Sequence, residues 1–443
     1  MRLKLCWLTF TLIATPFALL RSASANFVTD WNVEVRNTIR ATSTPPPRAS
    51  RAMAMLHGAI YDATNAITRT HRPYRFRGVA PGASIEASAA QSARDVLVGL
   101  FPSRTAIYDA KLATQLSTIA DGPAKAAGIS LGSAVAAEML SWRSNDGSDA
   151  PSSYTPTIAP GRWRPTEPGF APALLPQWGA VTPFGITSVE SFRPVAPPAL
   201  DSVEYANAVN EVRLIGSATS STRTADQTQI AQFWANGAGT ETPPGHWNRI
   251  AIAASESRNL SIADNARMLA QLNIALADAA IVSWESKYLY DFWRPIDAIR
   301  EGDTDGNPLT SDDDTWTPLL MTPPFPEYTS GHSTFSGAGA AALAGFFGTD
   351  AIAFTIGSDD IAGVERSYAS FSAAASESGL SRIYGGIHFS FANVNGLSSG
   401  DAVGNSIAAN YFQVIPEPSS LVLLGVGIAG LAVHAVHRRR RRR

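Results

Sequence analysis

The sequence predicts an all-α protein. Apolar residues recur at helical spacing in segment after segment, alternating strand patterns are few, and helix-start signals precede several of the runs. In SRAMAMLHGAIYDATNAI, Leu56, Ile60, Ala63 and Ile67 fall on one helical face, with Ser50 as the expected cap. IEASAAQSARDVLVGLF, TAIYDAKLATQLSTIA, AAGISLGSAVAAEMLSW and SVEYANAVNEVRLIG repeat the pattern. TADQTQIAQFWA opens with Thr224 and Gln227, a capping-box pair. The longest run is ADNARMLAQLNIALADAAIVSWESKYLYDFW.

The 443 residues carry two terminal tags. Arg2 and Lys4, an apolar stretch, and Ala23-Ser24-Ala25 form a secretory signal peptide, residues 1–25, with cleavage expected after Ala25. The apolar core is too short for a first membrane span, and Pro16 interrupts it. At the other end, Pro416-Glu417-Pro418 precedes an apolar stretch from Leu421 to Val433 and arginines from Arg438 to Arg443. A permanent span needs about 20 apolar residues, more than this stretch supplies. Residues 414–443 resemble a PEP-CTERM sorting signal, with Ile415 where many members have Val. The resemblance implies a short membrane helix, processing by an exosortase, and release of a bacterial protein at the surface, in the matrix or into the medium. A permanent tail anchor is the alternative. Either way the body lies outside the cytoplasm and touches a membrane only through its tail.

Cys6 is the only cysteine and leaves with the signal peptide, so the mature chain has no disulfide and no thiol chemistry. Net charge is −2 and the main basic run sits in the tail, which gives nucleic acid no surface to bind. Residues 26–413 remain as the exported helical body. Eleven prolines fall between Pro151 and Pro198. So long a loop either covers a site or links domains; packing by Trp163, Trp178 and Phe184 favours a cover.

Three separated segments share one chemical theme. In SWESKYLYDFWRP, Lys287 and Arg294 stand seven residues apart, two helical turns, so both heads are expected on one side of the helix, which Pro295 then stops or kinks. In PFPEYTSGHSTFSGAG, Ser330, Gly331 and His332 fall at an expected helix start, where free N–H groups suit an anion. In SRIYGGIHFSF, Arg382 precedes His388 by six residues, with Gly385 and Gly386 allowing a tight bend. Three cations, a hydroxyl, a helix N-terminus and two imidazoles match a tetrahedral oxyanion such as phosphate or vanadate.

Lys-x6-Arg-Pro, Ser-Gly-His and Ser-Arg-x5-His together resemble the signature of vanadium-dependent haloperoxidases and type 2 phosphatidic-acid-phosphatase-like acid phosphatases. RAMAMLHGAIYDATNAI and FWANGAGTETPPGHWN also look like haloperoxidase segments. The resemblance implies two helical bundles, with the oxyanion site inside residues 262–412. It implies that Lys287, Arg294, Ser330, Gly331 and Arg382 bind vanadate oxygens. His388 would ligate vanadium and His332 would serve as the acid–base residue. Peroxide and halide would be the substrates, reacting through a His-bound peroxovanadate. Trp284 and Phe325 match positions flanking the halide site in fungal chloroperoxidases of this family.

The chain departs from the pattern in places. Thr329 stands where members commonly have Pro, a change expected to loosen the turn. Ala392, followed by Asn393, stands where an Asp commonly supports the apical histidine. Asn236 or Gly237 occupies a place often acidic in relatives, which would leave Arg382 without its carboxylate partner. Two other readings stay open. One is an acid phosphatase with a phosphohistidine at His388; the other is a catalytically silent surface or matrix protein. His57 reads as structural, and His246 carries no assigned role.

Overall fold

The structure, a computed structural model, describes residues 26–416 and, in the tail, 427, 428, 430 and 434. The expected signal peptide and nearly all of the apolar tail stretch lie outside the described residues. No helix among the described residues is long and apolar enough to cross a membrane.

The regular structure of the described residues is helical apart from one hairpin. Its first half holds α1 (Phe27–Thr42), α2 (Pro46–Thr68), α3 (Ile85–Leu100), α4 (Thr105–Ser117) and α5 (Pro123–Arg143). After the proline-rich segment come α6 (Val203–Ile215), α7 (Ala225–Phe233), α8 (Thr242–Arg258), α9 (Ile262–Tyr290) and α10 (Pro295–Arg300). The last part holds α11 (Gly331–Phe347), the hairpin β1 (Phe354–Gly357) and β2 (Glu365–Tyr368), α12 (Phe371–Tyr384) and α13 (Ser390–Asn410). The hairpin is antiparallel, with Phe354 opposite Tyr368. Four-residue strands are too short to announce themselves by alternation.

The Thr224–Gln227 capping box is present at the start of α7. Ser50 is not a cap: α2 begins earlier, with Pro46 and Pro47 in its first turn, and Ser50 Oγ bonds back to Pro47 O at 2.9 Å. Proline is favoured there because the first helical N–H groups have no partner to lose.

Two helical groups meet on α9. Helices α2 to α5 form the first, and α11, α12 and α13 the second; α9 packs against α2, α11 and α13. From Asn265 to Lys287, α9 is buried almost all round, as a helix apolar on every face must be. The α11–α13 contact is made by small residues. A Cβ on Gly400 would stand 2.0 Å from Thr334 O, and one on Gly337 2.2 Å from Leu397 O, so the two backbones touch. A buried amide ladder ties α1, α8 and α9 together: Asn32 bonds Asn248 at 2.6 Å, and Asn248 bonds Asn273 at 2.8 Å. His57 joins it through Asn32 at 3.0 Å, the structural role its apolar helix suggested.

The proline-rich segment is a cover. Trp163, Trp178 and Phe184 are buried. Arg162 pairs with Phe292, Leu174 N donates to Pro324 O at 2.9 Å, and Trp284 Nε1 donates to Leu174 O at 3.1 Å. The segment is therefore clamped over the C-terminal end of α9 and the loop before α11. Asp278 of α9 anchors it further, accepting from the N–H groups of Phe184, Gly185 and Ile186.

Candidate active site

The loop 323–329, the start of α11 and the ends of α9 and α12 surround one narrow cleft. Trp284, Phe325, Gly331, His332, Arg382 and His388 line it, together with Pro46, Pro243, Pro323 and Phe335. Lys287, Arg294 and Ser330 do not line the cleft. They are fully buried in direct contact with residues that do. All nine predicted site residues thus converge, from stretches up to about a hundred residues apart.

Ser330 is the N-cap of α11, as the sequence indicated, its Oγ accepting from Ser333 N at 3.3 Å. Gly331 opens the helix. A Cβ there would meet nothing closer than Trp284 at 3.7 Å, so the missing side chain leaves a small hollow in the wall. The helix start adds partial positive charge at that hollow.

The predicted geometry of Lys287 and Arg294 needs correction. They do not share a helical face. Helix α9 ends at Tyr290, Asp291 turns left-handed at φ 53°, and the chain then pairs with residues 161–163. Arg294 is extended and serves as N-cap residue of α10, with Pro295 starting that helix rather than ending the previous one. The two heads meet because the chain turns, not because the helix runs on.

Their partners differ as well. Lys287 Nζ donates to the carbonyls of Pro326 and Glu327, at 3.0 and 3.1 Å, and to that of Thr329. Its three protons are all spent on the loop before α11. Thr329, expected to loosen this turn, is instead held by that bond and buried. Arg294 donates from Nε to Phe325 O and from Nη1 to Ile387 O, both at 2.8 Å, and its Nη2 has no partner. Arg382 donates to Trp234 O at 3.0 Å, and its Nε has no partner. His332 Nε2 is likewise unpaired. The bend before His388 is made at Gly386, φ 76°, where a side chain would be strained.

The carboxylate behind His388 is Glu327, which sequence reasoning missed. Its Oε1 lies 2.9 Å from His388 Nδ1 and accepts from Phe389 N at 2.9 Å. Asn393 instead accepts from Ser333 Oγ at 2.8 Å, so it does not replace the missing Asp. The only available signal was an acid inside the apolar run PPFPEY. For Arg382, the nearby acid comes from the hairpin: the charge of Asp360 partly offsets the burial and the Arg294 charge that lower Arg382, and Asp360 accepts from Asn236 N at 2.8 Å. Asn236 itself holds His246 Nδ1 at 3.2 Å, and His246 stacks on Trp234.

The electrostatics are those of an anion receptor. Burial and the charge of Arg294 push Lys287 well below its ordinary value. Burial lowers Arg294 to about 10, and burial with the charge of Arg294 lowers Arg382 to about 9. Burial first, then Arg294, Lys287 and Arg382, drive His388 far down; burial and Arg382 do the same to His332. Both imidazoles are neutral at pH 7. Burial lifts Glu327 to about 7, against the pull of Phe389 N, Arg294 and Lys287. Phe325 lies 4.8 Å from both Lys287 Nζ and Arg294 Cζ, and 5.0 Å from Trp284, placing aromatic faces against the cations.

Residues 267–416 match the VCPO second helical-bundle domain, and residues 414–442 match the PEP-CTERM protein-sorting motif. The chain is 27% identical over 399 residues to vanadium chloroperoxidase of Curvularia inaequalis, covering 71% of this chain and 64% of that protein's length. A bacterial vanadium-dependent iodoperoxidase structure superposes with a TM-score of 0.78 at 27% identity, covering 89% of this chain and 98% of the other. A bacterial vanadium-dependent chloroperoxidase in its holo form shares the fold, with a TM-score of 0.66 at 17% identity over 83% and 93% of the two chains. The two helical groups and the tail agree with these likenesses: the chain resembles vanadium haloperoxidases, and its C-terminal residues match a PEP-CTERM sorting motif.

Proposed function

We propose that the chain is an exported vanadate-dependent haloperoxidase that oxidises halide with hydrogen peroxide. The observation that carries this reading is the pair of unpaired buried N–H groups, Arg382 Nε in a residue of the cleft wall and Arg294 Nη2 in a residue buried behind it, beside the two neutral imidazoles that line the cleft. A buried cation without a counter-charge is costly, and an oxyanion with several acceptor oxygens would supply one. The relatives imply vanadate as that anion.

Arg294, Arg382, Ser330 and the Gly331 N–H would hold the oxygens. Lys287 would contribute charge from beneath, since its protons are engaged by the loop. His388 Nε2 would be the ligand to vanadium. When bound, vanadate supplies a Lewis-acid centre that activates peroxide toward halide. His332, neutral and with Nε2 unpaired, takes a proton from incoming peroxide and returns it to the departing oxygen. Overall, peroxide, halide and one proton give hypohalous acid and water, two electrons passing from halide to the peroxide oxygens. Trp284 and Phe325 would strip water from the halide.

The sorting motif supports export and surface association, with residues 26–413 as the released body and an exosortase acting on the tail. The test is halide oxidation with added vanadate and peroxide, run beside hydrolysis of a chromogenic phosphate ester. Halide oxidation that depends on vanadate supports the reading. Ester hydrolysis alone would make the chain a phosphatase, and absence of both vanadate binding and turnover would make it a silent surface protein.

A further inference from the structure

The geometry points to Glu327 as the residue that fixes which nitrogen of His388 carries the proton, and so which one faces the anion site. The inference deepens the proposed function and rests on it only for the identity of the anion.

The argument follows from donors and acceptors alone. A guanidinium can only donate. Arg294 Nη1 lies 3.2 Å from His388 Nε2, so that nitrogen must offer its lone pair. In a neutral imidazole the proton is then on Nδ1. Glu327 Oε1 lies 2.9 Å from Nδ1 and accepts it. The same oxygen accepts Phe389 N, so the ring and the backbone beside it are held by one atom. Glu327 is fully buried.

Lys287 secures this arrangement. Its ammonium binds the carbonyls of Pro326, Glu327 and Thr329, which fixes the backbone on either side of the carboxylate. Lys287 thus positions Glu327, Glu327 positions His388, and Nε2 is left as the unprotonated nitrogen, its lone pair facing Arg294 Nη1. A carboxylate behind a metal-binding histidine sets the tautomer and orientation of the ring, and its loss commonly costs 10- to 100-fold in affinity. In this chain that carboxylate comes from the loop ahead of Ser330 rather than from the helix after His388.

The test uses the whole exported body, with orthovanadate as probe in equilibrium dialysis and side-chain 15N NMR of His388 without vanadate. Wild type should show the Nδ1–H tautomer. Glu327→Gln keeps an oxygen that accepts from both donors and should retain vanadate affinity within about threefold. Glu327→Ala should lose roughly 10- to 100-fold and show Nε2–H or mixed tautomers. Two results would overturn the assignment: an Nε2–H tautomer in wild type, or a folded Glu327→Ala protein with unchanged affinity. If that variant does not fold, wild type and Glu327→Gln decide: loss of the Nδ1–H form in Glu327→Gln overturns it. Failure of wild type to bind vanadate sinks the haloperoxidase reading instead, and leaves the tautomer measurement to judge Glu327.

Discussion

Arg294 reaches His388 Nε2 across 3.2 Å while its other terminal nitrogen has no partner. One guanidinium therefore serves two purposes. It ties the start of α10 to the loop before α13, and it keeps an N–H available for an anion. Arginine's fork allows both at once, whereas an ammonium offers one point of charge.

Arg294→Lys tests that division. The bonds to Phe325 O, Ile387 O and His388 cannot all be kept by a single ammonium. A charge-assisted hydrogen bond contributes about 1.5–3 kcal/mol. Vanadate affinity should fall on the order of 10- to 100-fold, read by equilibrium dialysis with circular dichroism as the folding control. Unchanged affinity in a folded variant would remove Arg294 from the anion site.

His332→Ala separates binding from proton transfer. Its ring lines the cleft with Nε2 unpaired, and burial keeps it neutral. Loss of a general acid–base typically slows turnover by about 10²–10⁴. The expected result is that kcat for halide oxidation drops by that order while vanadate affinity changes by only a few-fold. A variant with wild-type kcat would contradict the assigned role.

Much of the site was legible because short-range chemistry dictates it. Ser330 caps α11 because a hydroxyl followed by a run of small residues is a helix start. Gly386 turns the chain because only glycine takes φ 76° without cost. What sequence could not supply were pairings set by the tertiary fold. Glu327 meets His388 across 61 residues, and Asp360 reaches Arg382 from a hairpin too short to show a period. The Lys287–Arg294 spacing misled because seven residues fit a continuous helix as well as a helix end, a turn and a new cap. Deciding between them needed the pairing of Phe292 with Arg162, a contact made 130 residues away.

Gly400→Ala probes the close crossing that carries the second helical group. The added Cβ would lie 2.0 Å from Thr334 O, a backbone atom that cannot rotate away. Thr334 is in the first turn of the helix that begins at Gly331, so separation of α13 from α11 disturbs the site as well as the core. Overpacking of this kind costs about 1–3 kcal/mol. The urea midpoint should fall with little change in slope. A midpoint equal to wild type would mean that the two helices can part without penalty.

Acid should loosen the knot that joins α1, α8 and the hairpin. Glu241 is bonded by Arg36, Arg40 and Arg249, and Asp359 by Arg40 and Arg249. Burial alone would raise Asp359, but the Arg40 hydrogen bond, the Glu241 N–H and the charges of Arg40 and Arg249 hold it at about 2. An unfolded chain has no such partners, and its aspartate titrates at about 3.9. The unfolded state therefore takes up the proton first on acidification. The stabilisation is complete above about pH 4 and drains away as pH falls to about 2. Asp359→Asn removes the charge at every pH. Its melting temperature should lie below wild type at pH 6, and the gap should close between pH 4 and pH 2. A gap of constant size across that range would show that Asp359 stabilises the fold by something other than its ionised pairing with Arg40 and Arg249.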